Sequence, residues 1–450
     1  MSGTTPSRQL SLNLFIYPGG HHEAAWRHPD SVPERALDIR YYQALAQQAE
    51  AARLDAIFFA DSPSLADHIR YGSRYRFEPV TWLSAIAAVT DRIGLIGTAS
   101  TSYYEPYNLA RLFATLDHLS GGRAGWNIVT TSAEGAAANF NLSQHPDAHA
   151  RYQRADEFVR VVSALWDSWE DDALVVDKHS GIFAEDAKVH AIGHEGAHFR
   201  VRGAFNLPRS PQGRPVYVQA GSSEEGRDFA ARHAEAIFTA RQTLESAHAF
   251  SQDLRKRVTA AGRDAAQIRI LPGICPYIGS TAAEARQHAE ALNELIQPEY
   301  SLAQLRNLLG VDLGGHPLDA AFPLEALDFD APQSTSSRFR VIVDIVEREQ
   351  PTLRQLIQKL AGARGHWTPS GTPDQIADLI QQWFEAGAAD GFNVMPPWFP
   401  TGFDLFVDEV VPLLQARGLF RREYTGRTLR EHYGLERPVS QFAEAVAEVF

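Results

Sequence analysis

Short apolar runs rich in valine, isoleucine, leucine and phenylalanine alternate along this chain with longer segments of helical period. Eight runs stand out: Leu12 to Tyr17, Ala56 to Ala60, Ile93 to Thr98, Ala124 to Val129, Pro215 to Ala220, Ala236 to Ala240, Ile268 to Tyr277 and Phe392 to Met395. Between them, apolar residues recur at three and four over Tyr41 to Arg53, Trp82 to Thr90, Leu109 to Ser120, Arg154 to Trp169 and Ala377 to Gly387, which predicts amphipathic helices. Alternating strands and helices are the signature of βαβ units. Eight parallel strands close naturally into a barrel, whereas a doubly wound sheet usually has fewer strands and a glycine-rich first turn. The predicted fold is therefore α/β, a (β/α)8 TIM barrel. Two intervals, 130–214 and 280–375, are too long for a simple βα unit. The first contains a helix and then an extended, hairpin-like stretch from Val189 to Leu207; the second holds helical pieces around Leu302 to Leu309 and Arg338 to Leu360. Both read as insertions over the C-terminal face of a single domain spanning 1–450.

Composition narrows the class. The 450 residues exceed a bare barrel, which needs roughly 250, so a large core and the two insertions are both accommodated. No apolar run is long enough to span a bilayer, and the start lacks a basic segment followed by an apolar one, so secretion and membrane insertion are not expected. Cys275 is the single cysteine, which rules out an intrachain disulfide and favours a cytoplasmic location. A formal net charge of −13 without a basic stripe argues against nucleic-acid binding.

Barrels carry their chemistry at the C-terminal ends of the strands. In this chain those positions are polar: Gly19-Gly20-His21-His22-Glu23 after the first run, Asp61-Ser62 after the second, Thr98 to Ser102 at the third, and Asn127 with Thr130-Thr131-Ser132 at the fourth. The fifth ends in Gly221-Ser222-Ser223 and the sixth in Thr239 and Arg241. Hydroxyls, an amide, a carboxylate and imidazoles converging on one mouth suit a polar heteroaromatic ligand. Ser222-Ser223-Glu224-Glu225 also has the look of a helix cap whose free N–H groups suit a phosphate, although its two glutamates oppose an anion. Arg76 and Arg241 are candidate carboxylate binders, with surface ion pairing as the commoner use of arginine. No dinucleotide fingerprint or Walker A motif occurs.

His194-Glu195-Gly196-Ala197-His198 matches the H-E-x-x-H zinc signature, with His190 four residues earlier. That signature needs a helix to bring both histidines to one face. Gly193 and Gly196 and the flanking Lys188-Val189 and Phe199-Arg200-Val201 point instead to strands, so no metal site is expected there.

Several segments together resemble the nitrilotriacetate and dibenzothiophene-sulfone monooxygenase group of the bacterial luciferase-like superfamily. They are GGHHEAAWRHPDS (19–31), EAARLDAIFFADS (50–62), FEPVTWLSAIAAVTDRIGLIGTAST (77–101), HLSGGRAGWNIVTTS (118–132), RYQRADEF (151–158), HEGAHFRVRG (194–203), SPQGRPVYVQAGSSEEGRDFAA (210–231) and GLFRREYTGRTLREHYGL (418–435). The resemblance covers nearly the whole chain. It implies FMN at the barrel mouth, held by positions matching Asp61, Thr98, Tyr152 and Ser222, with Ser223 adjacent. Relatives carry a histidine four residues before the tyrosine; here that position is Ala148, and His149, one residue later, is the candidate replacement. The resemblance further implies reduced FMN supplied by a separate NAD(P)H:flavin reductase, O2 as co-substrate, a small organic substrate of aminopolycarboxylate, sulfone or organosulfur type, and a homo-oligomer, to which the basic and aromatic tail is expected to contribute. His22, with His21 and Trp26 in the same loop, is the candidate catalytic residue, as a proton donor or an orienting group; a loop-holding histidine is the structural alternative. Asn127 and Thr131 are expected as wall residues. The competing readings are a flavin-binding barrel without oxygenase activity and a zinc hydrolase using the HEGAH segment.

Overall fold

A computed structural model describes residues 8–65, 69–72, 76–131, 133, 135–330 and 337–443; Ser132 lies outside them. Eight strands close one parallel barrel: β1 (Ser11–Ile16), β2 (Ala56–Phe59), β3 (Gly94–Ser100), β4 (Ala124–Val129), β5 (Val216–Gln219), β6 (Ala236–Thr239), β7 (Arg269–Ile274) and β8 (Gly391–Val394). Neighbours in the chain are neighbours in the sheet, and β8 returns to β1 with Gly391 opposite Ser11 and Val394 opposite Leu14. All eight lie on the apolar runs of the sequence. The seventh run is broken, because Tyr277–Ile278 leaves the barrel to pair with Ser370–Gly371.

Strand side chains alternate between two faces, and here both faces are buried. Leu12, Leu14 and Ile16 of β1 join the core between barrel and helices, whereas Phe15 joins an interior cluster with Phe58, Ile96, Val218, Phe238, Leu271 and Met395. Cys275 belongs to this interior cluster; its thiol donates to the Gly362 carbonyl at 3.3 Å. Double burial explains why the strands read as continuous apolar runs rather than as alternating ones.

Helices Ile39–Ala51, Pro79–Ala87, Pro106–Ser120, Ala148–Asp167, Glu224–His233, Leu244–Ala260 and Pro373–Glu385 surround the barrel. The first long interval holds the helix Ala148–Asp167 and then short antiparallel ribbons, as its glycines and alternating residues suggested. The second holds helices Ala282–Glu294, Pro298–Leu309, Ser337–Glu349 and Leu353–Ala363, the last three with a cluster of their own around Leu305, Leu309, Phe339, Ile342 and Leu356. One helical piece of the sequence reading becomes two there, because Pro351 removes an amide donor and Thr352 starts a new helix with a capping box.

The C-terminal tail seals the other end of the barrel. Leu429 and Tyr433 of the short helix Leu429–Tyr433 enter the interior cluster, and the Tyr433 hydroxyl donates to Asn13 Oδ1 at 2.8 Å. Glycines in β3 and β4 make room for it: a Cβ on Gly125 would lie 3.1 Å from Leu429 Cδ2. Arg430 is buried and donates to both oxygens of Glu235, at 2.7 and 3.0 Å. Leu429, Arg430 and Tyr433 of the tail are thus buried within this chain, while Arg422 and Arg427 stay exposed. No helix of the described residues is long and apolar enough to cross a membrane.

Removing one partner of a buried ion pair costs about 3–5 kcal/mol, since the other charge stays buried. Arg430→Met is therefore expected to lower stability in urea unfolding by about 3 kcal/mol or more, and adding Glu235→Leu is expected to recover part of that loss.

Candidate active site

An aromatic layer crosses the barrel just below its C-terminal mouth. Phe15 and Phe58 stack with centroids 4.6 Å apart, and Phe238 meets Phe15 edge-on at 5.4 Å. The interior positions above this layer turn polar. Thr98 donates to the Phe59 carbonyl at 2.9 Å and accepts from Asn127 Nδ2 at 2.8 Å. Asn127 Oδ1 is buried and has no partner among the described residues. Asp61, just beyond β2, is part-buried; burial pushes its carboxyl up to about 6. Thr131 is buried and hydrogen-bonded to Ser100 at 2.6 Å.

Across the mouth, the turn after β5 and the helix Ala148–Asp167 bring hydroxyls together. Ser223 caps the helix Glu224–His233 by accepting from Gly226 N at 3.2 Å, and the Ser222 hydroxyl lies 3.1 Å from that of Thr239. The Tyr152 hydroxyl fits against this turn only because two glycines lie beneath it: a Cβ on Gly221 or Gly226 would sit 2.9 Å from the phenolic oxygen. The glutamates that opposed an anion in the sequence reading are committed elsewhere. Glu224 pairs with Arg227 and with Arg257 at 2.6 Å, and Glu225 lies 3.3 Å from His149. His149 itself is on the surface, its side chain 73% exposed, held to Glu225 and Gln153.

The loop after β1 packs its histidines inward. Ala24 N donates to His22 Nδ1 at 3.1 Å, so the ring carries its proton on Nε2 and gives it to Asn293 Oδ1 at 3.3 Å. Burial pushes His22 down to about 4, so at neutral pH it is an uncharged hydrogen-bond donor. Its neighbour His21 accepts from Arg364 at 3.1 Å and donates to the Phe15 carbonyl at 2.8 Å. Trp26 is part-exposed and donates to the Tyr71 carbonyl.

The structure adds residues that the sequence reading passed over. Tyr17 lies between two guanidiniums, Arg76 and Arg364, at 4.1 and 4.2 Å from its ring centre. Burial pushes its phenol up, but Arg364 and Arg76 outweigh burial and hold it at about 7. Arg338 donates to the Arg364 carbonyl and to His366 Nε2, and His366 stacks on Phe238 at 4.9 Å. These side chains come from the second insertion. Arg364 and His366 follow a helix end, where apolar periodicity is silent. Tyr17 was visible only as the last residue of a strand.

HEGAH forms a hairpin, His194–Glu195 against Arg200–Val201. His194 meets Glu157 at 2.9 Å, and the same carboxylate accepts from the backbone of His198 and Phe199. His190 is taken by Glu170 at 2.7 Å. The segment is a clasp on the helix Ala148–Asp167.

A cavity of about 580 Å³ opens at this mouth, lined among others by Ser222, Thr239, Arg241, Arg338 and His366. A smaller hollow of about 60 Å³ lies beside Tyr17, His21, His22, Trp26 and Arg364. The model of the family described as luciferase-like monooxygenase matches residues 20–390. The chain belongs to the luciferase-like monooxygenase family. It is 48% identical to N-acetyl-S-(2-succino)cysteine monooxygenase of Bacillus subtilis (strain 168), over 98% of this chain and 100% of that protein. It is 44% identical to nitrilotriacetate monooxygenase component A of Aminobacter aminovorans, over 97% of this chain and 99% of that one. Among solved structures, riboflavin lyase with modified FMN and substrate riboflavin superposes with a TM-score of 0.84 at 34% identity, covering 96% of this chain and 97% of that chain. This luciferase-like monooxygenase is thus an oxidoreductase that incorporates oxygen into a small organic molecule, and its barrel mouth is the place where its chemistry-bearing residues converge.

The Tyr17 environment has a spectroscopic consequence. Ultraviolet titration of this monooxygenase is expected to show one phenol ionising near pH 7, absent in Tyr17→Phe and shifted upward in Arg364→Gln, because removing a neighbouring cation weakens the phenolate. A profile with no phenol ionising below the ordinary tyrosine range would contradict this geometry.

Proposed function

We propose that this monooxygenase binds reduced FMN delivered by a separate NAD(P)H:flavin reductase and uses O2 to oxygenate a small aminopolycarboxylate, sulfone or organosulfur compound. The observation that carries the reading is the division of the mouth into a hydroxyl-lined turn at a helix start and, above the aromatic layer, a wall with an unsatisfied polar atom. A helix N-terminus with free N–H groups favours a phosphate, and Tyr152, Ser222 and Ser223 supply hydroxyl donors beside it. The buried Asn127 Oδ1 lacks a partner among the described residues, as expected of a group awaiting a ligand that donates to it. The cavity volume is in the range of roughly 300–1,000 Å³ of small-molecule sites. The solved relative that carries modified FMN supports the same choice, and the name "component A" of another supports a partner component.

Tyr152, Ser222 and Ser223 would hold the flavin phosphate, and Asp61, Thr98 and Asn127 would face the ring. His149 is left out of this grip, since it is exposed and engaged with Glu225. Bound reduced FMN supplies the electrons that activate O2, one oxygen atom passing to the substrate and the other leaving as water. The chain's own part is orientation and dryness. The aromatic layer closes the site from below, and Arg364 and His366 lean over it from the second insertion.

The test is turnover of N-acetyl-S-(2-succino)cysteine, nitrilotriacetate and dibenzothiophene sulfone with a flavin reductase, NADH, FMN and isotopically labelled O2. One labelled oxygen per product molecule is expected, with no NADH oxidation by this chain alone. Binding of FMN with every compound of a wider panel unchanged would mark a flavin carrier and overturn the oxygenase reading.

A further inference from the structure

The arginines of this chain fall into two groups. Several buried guanidiniums are paired with a carboxylate. Arg430 meets Glu235, Arg209 meets Asp167 at 3.0 Å, and Arg421 meets Asp55 at 2.6 Å. Arg123 has no carboxylate partner among its hydrogen bonds, but all five of its N–H groups are spent on backbone carbonyls and Thr90. Such residues are structural.

Arg338 and Arg364 are different. Arg338 donates only to the Arg364 carbonyl and to His366 Nε2, which leaves most of its donors unused among the described residues. Arg364 donates to His21 Nδ1 and lies over Tyr17. Among the described residues no carboxylate forms an ion pair with either one, and the acceptors they do have are uncharged imidazoles, a carbonyl and the Tyr17 hydroxyl beside Arg364. Burial and repulsion from Arg364 hold Arg338 down at about 10. A third guanidinium, Arg76, lies 4.1 Å from the Tyr17 ring centre. Holding Arg338 and Arg364 side by side against a phenol that is only part-ionised at neutral pH is costly, and a bound anion would offset that cost.

The imidazoles explain the arrangement. His21 gives its proton to the Phe15 carbonyl, so it accepts from Arg364, while His366 accepts from Arg338 and stacks on Phe238. Each neutral ring fixes a guanidinium without neutralising it. The result is a pair of oriented forks, the geometry that recognises carboxylates.

Resting on the monooxygenase reading above, we infer that Arg338 and Arg364 form the subsite for a carboxylate of the substrate, so that this enzyme acts on a carboxylate-bearing molecule. A phosphate shares this chemistry, but the hydroxyl turn at Ser222 and Ser223 follows β5, opposite β1 in the barrel order, whereas Arg364 lies against Tyr17 at the end of β1. The carboxylate is therefore anchored on the β1 side by Arg364, and Arg338, which lines the same cavity as Ser222, is held to it through the Arg364 carbonyl. Tyr17 would respond to occupancy, because an anion placed between the guanidiniums competes with the phenolate for them.

The test is calorimetric titration of the full chain, with and without FMN, using N-acetyl-S-(2-succino)cysteine and nitrilotriacetate as carboxylate probes and dibenzothiophene sulfone as a neutral one. At least one carboxylate probe is expected to bind, to weaken about tenfold or more in Arg338→Gln and in Arg364→Gln, as the loss of a charged hydrogen bond implies, and to raise the Tyr17 ionisation seen in the ultraviolet. FMN affinity is expected to fall less than carboxylate affinity in both variants and to stay within about twofold in Arg364→Gln, whose side chain lies against Tyr17 rather than Ser222. Arg338→Lys, with its thermal melt, keeps the positive charge and controls for folding. Weakened FMN binding with unchanged carboxylate binding would assign these arginines to the flavin phosphate and overturn the inference. So would binding of the sulfone alone. Either result leaves the oxygenase reading to be judged by labelled turnover.

Discussion

Everything at the mouth stands on the packing of Phe15, Phe58 and Phe238 across the barrel. Strand alternation forces inward side chains to fill the interior in layers, and three aromatic rings fill this layer without a polar atom. Below it the tail plugs the barrel with Leu429 and Tyr433. Above it the inward positions of β3 and β4 become Thr98 and Asn127. The layer separates a sealed base from a polar mouth, and it offers His366 a flat face on which to stack. Through His366 it also positions Arg338, so the substrate subsite inferred for this enzyme is tied to the same three rings.

The barrel was legible because burial on both faces writes each strand as a continuous apolar run, and all eight runs became barrel strands. The residues at the strand ends were legible for a related reason: a polar residue closing an apolar run has few structural excuses. Asp61, Thr98 and Asn127 came from that signal, and Ser222 and Ser223 from the cap that starts the next helix. What stayed hidden was supplied by residues distant in sequence. Arg364 and His366 follow a helix end in the second insertion, and their meaning depends on Tyr17 and Phe238, more than a hundred positions away. The inward role of Arg430 was hidden for the same reason, since it is visible only once Glu235 is placed against it.

Local chemistry also sorted the histidines. The HEGAH segment has the residues of a zinc site but the backbone of a hairpin, with His194 held by Glu157. His22 has the position of a catalytic imidazole, yet burial and its bonds to Ala24 and Asn293 keep it uncharged. His21 and His366 act as neutral acceptors that aim arginines. In this monooxygenase the imidazoles set direction, and charge at the mouth resides in the guanidiniums and in the phenol between them.

The proposed hydroxyl-lined phosphate grip at Tyr152, Ser222 and Ser223 is the feature from which the rest of the mouth takes its roles. Anaerobic titration of the full chain with reduced FMN and with reduced riboflavin, for the native chain and for Tyr152→Phe combined with Ser222→Ala, tests it most directly. One equivalent of reduced FMN is expected to bind, more tightly than riboflavin, with that preference lost in the double variant. Failure of the native chain to bind reduced FMN, or an undiminished preference in the variant, would contradict it.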